Sequence, residues 1–356
     1  MRLLKFNNFF SEVVKYRLRR VVYIAIFWTV IDLLVTVLSN SRINALGVTL
    51  IIRALLVFPF SILMGYMFVF TLKNIFRDKP MLPNFLMKSF IVLMAALFMN
   101  LLIQFVEKRF IEALPMREVW AHFSDGKMDL KWFLRRTLYW IVLFVITQLY
   151  LEVNNKYSPG VFIDVLRGKY LTPKIENRIV MFIDLKDSTT IAEKLGHQQY
   201  FLFIRDFICF VSTALIEYNG IIYQYVGDEV VVSWADNKKN IRNCLNAVIE
   251  SRKNIQKKSH SFRNRFGVIP EFRVGIHVGE VTIGEIGVIK KDLAMSGDTM
   301  NTTARIRSAC NELNEKFIVS KDFVEKSDLK EWQAETLGMV ELKGKRSEIE
   351  LFSLKI

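Results

Sequence analysis

Two carboxylates set the chemical reading of this chain. Asp184 stands at the end of a compact apolar run, RIVMFIDL, over residues 178–185. Asp228 stands 44 residues later, in the acidic turn Gly227-Asp228-Glu229 between two β-rich runs at 220–226 and 230–234. A tight turn between alternating apolar runs predicts a hairpin. If the first strand and the hairpin are neighbours in one sheet, both acids converge at one rim. Two carboxylates with backbone carbonyls suit Mg2+ or Mn2+, hard cations that prefer oxygen. Two such ions activate an attacking hydroxyl and neutralise a leaving pyrophosphate. Ser188 and Thr189 follow the first acid and open a long helical segment. The free N–H groups of a helix N-terminus can hold phosphate. Either acid alone would read as a cap or a surface residue; the pair in these two settings reverses that reading. The four histidines show no paired metal-ligand spacing, and the three cysteines lack a CxxC, which excludes a disulfide framework and an all-cysteine zinc site and fits a reducing compartment.

The elements that must position these residues follow from pattern. The strand at 178–185 is followed by a helix from Ser188 to about Tyr218, then the hairpin, then a helix over about 240–257. Residues 271–283 read as two strands turning at Gly279, 299–313 as a helix, and 317–320, 335–341 and 348–354 as short strands. Strand, helix, hairpin, helix, strand is the order of a ferredoxin-like α+β sheet with helices on one face. Met295, Met300, His277 and the cysteines Cys209, Cys244 and Cys310 read as packing residues.

Four blocks over 178–354 resemble the class III nucleotidyl cyclases, the adenylyl and guanylyl cyclase family. MFIDLKDSTTIAEKLG (181–196) resembles its first metal-aspartate motif and YQYVGDEVVVSW (223–234) its second. GDTMNTTARIRS (297–308) resembles the transition-state block, and LKGK (342–345) the triphosphate lysine. The resemblance implies that Asp184, Asp228 and the backbone carbonyl of Ile183 hold two Mg2+ or Mn2+ ions per active site. It implies that Asn301 positions the ribose and that Arg305 stabilises charge developing on the phosphate. Lys343 would contact the phosphates, with Lys345 as the nearby alternative. It also implies a homodimer with two equivalent sites, because in this family the aspartates of one copy face the Asn/Arg/Lys set of the other. The reaction would be attack of the ribose 3′-hydroxyl on the α-phosphate, giving a cyclic nucleotide and pyrophosphate.

Three positions depart from the family pattern. Gln224 stands where adenylyl cyclases usually carry Lys and guanylyl cyclases Glu, and its amide can serve either purine. Ala294, with Ser296 close by, stands at the second base-reading position and offers no side-chain hydrogen bond. ATP is favoured because the guanine-selective Glu is absent. Asp187 adds a charge beside the phosphate turn and reads as a side-chain cap for the helix. The rivals are a guanylyl cyclase of the same fold, a silent nucleotide-binding domain, and a diguanylate cyclase. The last lacks a full GGDEF signature and leaves the Asn/Arg block unexplained.

Composition explains what carries this catalytic half. The chain has 356 residues, 52% of them hydrophobic, yet 24% are charged, with a mean hydropathy of +0.25. Such values coexist only in an uneven chain, and they exclude disorder. Four apolar stretches, at 21–38, 54–72, 89–106 and 134–151, each approach the length a membrane-crossing helix needs. The expected organisation is a four-helix transmembrane domain at 1–152, a connector at 153–176 and a cytoplasmic catalytic domain at 177–356. Lys15, Arg17, Arg19 and Arg20 precede the first stretch and place the N-terminus inside, at the cell inner or plasma membrane. Lys73, Arg77 and Lys79 also read as inside, whereas the basic loop at 107–133 runs against this topology. The net charge of +14 is dispersed and suits a surface beside an anionic bilayer; no basic helix or stacking motif suggests nucleic acid. Asp32 within the first stretch reads as the partner of Arg53, with a sensing role as the alternative. Asn100, Gln104 and Gln148 read as interhelical hydrogen-bonding residues.

Overall fold

The computed structural model describes residues 12–39, 46–71, 81–125, 130–154, 161–288, 292–327, 329, 333–342 and 348–356. Lys73, Arg77, Lys79, Lys343 and Lys345 lie outside the described residues. The chain divides into two compact units, Val14–Lys156 and Tyr157–Ile356.

The first unit is helical: α1 (Glu12–Ser39), α2 (Leu46–Tyr66), α3 (Met81–Val106), the short α4 (Met116–Ser124) and α5 (Leu130–Asn154). Single π-helical turns, Met67–Thr71 and Glu107–Ile111, extend α2 and α3. Its outer surface is apolar: Phe27, Leu55, Leu63, Phe90, Phe98, Leu138 and Leu149 are exposed. Its interior holds Trp28, Met99, Trp140 and Phe144, and Trp28 donates through Nε1 to Thr147 Oγ1 at 2.8 Å. Gly65 lets α2 approach α1, since a Cβ there would lie 3.3 Å from Val21 Cγ1. Asp32 is fully buried and meets Arg53 through a two-bond fork, Nε–Oδ2 at 2.9 Å and Nη2–Oδ1 at 3.0 Å. The expected pair is part of a larger cluster. Arg53 Nη1 also reaches Glu107 Oε1 at 2.5 Å, and Arg136 Nη1 stands 3.9 Å from Asp32 Oδ1. Two guanidinium and two carboxylate charges then balance, which a low-dielectric interior requires. Asn100 bridges helices as expected, donating to Thr137 Oγ1 at 2.8 Å. Gln104 does not: its buried Oε1 has no partner among the described residues.

The second unit begins with the short helix α6 (Val161–Leu166). Its elements are β1 (Lys174–Leu185), α7 (Ser188–Glu217), β2 (Ile221–Val226), β3 (Glu229–Ala235), α8 (Lys238–Lys257), α9 (Ser259–Phe266), β4 (Phe272–Ile286), β5 (Asp292–Ser296), α10 (Asp298–Glu312), β6 (Phe317–Ser320), α11 (Lys321–Lys326), β7 (Ala334–Val340) and β8 (Ile349–Leu354). The sheet runs β2-β3-β1-β4-β6-β8-β7, with β5 paired to β4. β1 is central, antiparallel to β3 on one side and β4 on the other. Strand side chains alternate between faces. Ile179, Met181, Ile183 and Leu185 therefore pack against Phe203, Phe207 and Val211 of α7 and Cys244 and Val248 of α8. Val180 and Phe182 point the other way, towards Met300 and Ala304 of α10.

The sheet is thus covered on both faces, not one as its element order predicts. A further difference explains how. Gly279 is not a turn: β4 is one continuous 15-residue strand. Gly275 and Gly279 share its α10-facing side. A Cβ at Gly275 would stand 2.8 Å from Arg307 Cα, and one at Gly279 would stand 2.5 Å from Thr299 Oγ1. The glycines let α10 lie against the sheet. Cys244 and Cys310 are buried as expected, but Cys209 is exposed on the outer side of α7. His277 is buried and satisfied by Ser320 Oγ, 2.8 Å from its Nδ1. Among the described residues, five helices are long and apolar enough to cross a membrane, and the fifth is α7, whose apolar side covers the sheet.

Candidate active site

Asp184 is the next-to-last residue of β1 and has the parity of Val180 and Phe182, so it faces α10. Asp228 occupies the two-residue turn between β2 and β3. That turn needs a left-handed residue, supplied by Gly227 at φ 62°. Because β3 pairs with β1 up to Ile183↔Val230, the turn lies beside the end of β1. The two aspartates come together there, close enough for each carboxylate to act on the other.

Two further residues complete this acidic rim. Glu229 begins β3, and Arg307 reaches down from the flank of α10. Arg307 Nη1 lies 3.2 Å from Asp184 Oδ2 and Nη2 lies 2.8 Å from Glu229 Oε2. Sequence reading missed both residues. A signal existed: on a helix whose Thr299, Thr303 and Ile306 are buried, residue 307 falls on the flank nearest the sheet, on the face Asp184 shares. Burial pushes the Asp184 carboxyl up to about 6; Arg307 pulls it down, and Asp228 and Glu229 push it further up. Burial also raises Glu229, against the pull of Arg307.

The rim fits a divalent ion. Asp228 Oδ2 is buried with no hydrogen-bond partner among the described residues, and an orphaned buried carboxylate oxygen demands a cation or a proton. The Asp184 and Asp228 carboxylates offer hard oxygens of the kind such an ion prefers. Among the described residues, no three His, Cys, Asp or Glu side chains surround a common point.

The other expected site residues fall into separate groups. Ser188 and Thr189 begin α7 beside the rim; the Tyr200 hydroxyl is raised chiefly by burial and by the nearby Asp228 and Asp184 charges, with Ser188 acting the other way. Asp187 does not cap this helix with its side chain. It sits in a left-handed conformation at φ 56°, and its carboxylate lies 3.8 Å from Lys186 Nζ. Gln224 is exposed on β2, where the register shifts between Ile222 and Gln224. Ala294 and Ser296 lie on β5, opposite Gly284 and Thr282 of β4. Met295 N donates to Tyr223 Oη at 2.7 Å. Gln224 and Ala294 each adjoin one partner of that bond, so it ties the two base-reading candidates together. Asn301 and Arg305 stand one helical turn apart on α10; Asn301 is exposed on the side away from the buried threonines and Arg305 is half-buried on a flank.

Known proteins resemble this chain in sequence and fold. Residues 171–355 match the family model for the adenylate and guanylate cyclase catalytic domain. The chain is 32% identical over 206 residues to adenylate cyclase 2 of Rhizobium meliloti (strain 1021), covering 57% of each chain. It is 23% identical over 218 residues to an adenylate cyclase of Anabaena cylindrica, covering 58% of this chain and 43% of that one. The chain thus spans about half the length of these curated relatives. The solved structure of a bacterial light-regulated adenylyl cyclase shares the fold, with a TM-score of 0.53 at 19% identity over 61% of this chain and 64% of that one. With the match spanning more than half of its residues and the paired aspartates meeting at one rim, this chain belongs to the family of the adenylate and guanylate cyclase catalytic domain.

Proposed function

We propose that the protein is a membrane-anchored adenylyl cyclase that converts ATP to cyclic AMP and pyrophosphate at the interface of a homodimer. One observation supports the reading: the paired aspartates and the Asn301/Arg305 pair sit on different elements, with Asn301 exposed. Asp184 and Asp228 converge at the end of β1, while Asn301 is exposed on α10 and Arg305 lies one helical turn along from it. A second copy supplies what each half lacks.

The roles follow from the chemistry of each group. Asp184, Asp228 and the Ile183 carbonyl would hold two Mg2+ or Mn2+ ions, which when bound supply hydroxyl activation and charge neutralisation on the phosphates. Ser188, Thr189 and the free N–H groups at the start of α7 would seat the phosphate chain. Asn301 from the partner copy would orient the ribose so that its 3′-oxygen faces the α-phosphate. Arg305, always protonated, would stabilise the charge that develops there. Lys343, or its neighbour Lys345, would hold the terminal phosphates. Gln224 and Ala294 would frame the base; Gln224 lacks the carboxylate that guanine selection employs, which supports ATP.

The domain division at 1–152, 153–176 and 177–356 belongs to the same proposal. Helices α1, α2, α3 and α5 would span the bilayer, because their outward residues are apolar and their charges are paired within. The fifth apolar helix, α7, stays out, since its apolar side already covers a sheet. An even number of crossings leaves the N-terminus and the catalytic unit in the cytoplasm, where ATP is. The deciding assay is turnover of ATP and GTP side by side by purified protein with Mn2+. Cyclic AMP should be the main product, and Asp184→Ala or Asp228→Ala should abolish it. Cyclic GMP as the main product would overturn the substrate, and wild type as inactive as the variants would overturn the activity.

A further inference from the structure

The Arg307 guanidinium bridges Asp184 and Glu229, on two different strands, at 3.2 and 2.8 Å. Its side chain is 23% exposed, and the two carboxylates it holds are 19% and 15% exposed. Its Nε makes no hydrogen bond among the described residues, so the two carboxylates are what hold the guanidinium end. Its backbone, in contrast, is pinned: Arg307 N and Cα press on the bare Cα of Gly275. The backbone is packed against the strand, and the charged tip is held by carboxylates alone among the described residues.

We infer that Arg307 is a tethered counter-cation, which neutralises the acidic rim before divalent ions enter and must release Asp184 when they do. The inference rests on reading Asp184 and Asp228 as the metal carboxylates. Three carboxylates crowd the rim, at Asp184, Asp228 and Glu229, and one fixed positive charge partly compensates them. An ion bound through Asp184 Oδ2 would lie within a few ångströms of the guanidinium that now contacts the same oxygen. Like charges at that separation oppose each other strongly in a partly buried site. Glu229 provides the place for the guanidinium to retreat to, since it accepts Arg307 but is separate from Asp184. Arg307 is thus a positioning residue: it sets metal affinity by competing for one ligand, and Glu229 sets how readily it lets go.

The test is Mn2+ binding by calorimetry to the purified full chain in detergent, without nucleotide, alongside thermal unfolding in EDTA and in Mn2+. Arg307→Gln should bind Mn2+ at least tenfold more tightly than wild type. It should also unfold at lower temperature in EDTA and recover when Mn2+ is added. Glu229→Gln, which keeps the guanidinium and removes its retreat, should bind Mn2+ at least threefold more weakly. It carries the test alone if Arg307→Gln does not fold. A merely structural arginine would lower the unfolding temperature and leave the isotherm unchanged or weaker; that result, with Asp228→Asn losing Mn2+ binding, overturns the inference and leaves the metal site standing. Wild type without Mn2+ binding, or Asp228→Asn binding as wild type does, overturns both.

Discussion

Asp184→Asn should stabilise the metal-free catalytic unit while destroying its activity. Asp184 carries a carboxyl whose folded value is about 6 against an ordinary 3.8. At roughly 1.4 kcal/mol per pH unit, that gap amounts to about 3 kcal/mol by which ionised Asp184 opposes folding at neutral pH. The folded chain binds the proton more tightly than the unfolded one. The penalty is therefore absent below about pH 4, grows as pH rises towards 6, and is complete above it. A neutral amide of the same shape mimics the protonated acid and escapes the penalty. The Asp184 side chain is 19% exposed, so water screens part of the effect, and a gain of about 1–2 kcal/mol at pH 7.5 is expected. Urea unfolding of residues 157–356 in EDTA, wild type against variant, reads it directly. The difference in stability should be near zero at pH 4, rise through pH 4–6 and then level off. A variant less stable than wild type at pH 7.5, or a difference independent of pH, would refute the reasoning.

Other perturbations separate packing from chemistry. Gly275→Ala would drive a Cβ to within 2.8 Å of Arg307 Cα; lifting α10 should cost about 1–3 kcal/mol in urea unfolding and loosen the rim. Tyr223→Phe removes the acceptor for Met295 N, which should cost about 1 kcal/mol and raise KM for ATP more than it lowers kcat. Co-expressing Asp228→Ala with Arg305→Ala should restore cyclic AMP formation that neither variant supports alone, since one mixed dimer regains one intact site; no recovery despite mixed dimers would count against the composite site. In the helical unit, Asp32→Asn leaves Arg53 facing Glu107 alone and should cost about 3–5 kcal/mol, read as loss of folded protein after detergent extraction.

Much of the site was legible because local patterns determine it. An apolar run ending in Asp184 must be a strand, and Gly227-Asp228 between two β-rich runs must be a turn. Their convergence needs only the short-range rule that a hairpin pairs with the strand nearest in order. The Asp32–Arg53 contact was legible for a similar reason, since a buried charge in an apolar helix demands an opposite one. Glu107 and Arg136 were not, because which further charges reach the cluster depends on how distant helices turn.

What sequence alone determined was the inventory and its order: apolar helices first, then strands and turns delivering Asp184, Asp228, Asn301 and Arg305 in the succession a cyclase uses. Periodicity and turn chemistry act over a few residues, so they survive without a fold. Tertiary structure alone decided that the sheet is covered on both faces, that Gly279 admits a helix instead of making a turn, and that Arg307 lies across the acidic rim. Each of those depends on two segments far apart in sequence competing for the same few ångströms, and no pattern within one segment encodes that competition.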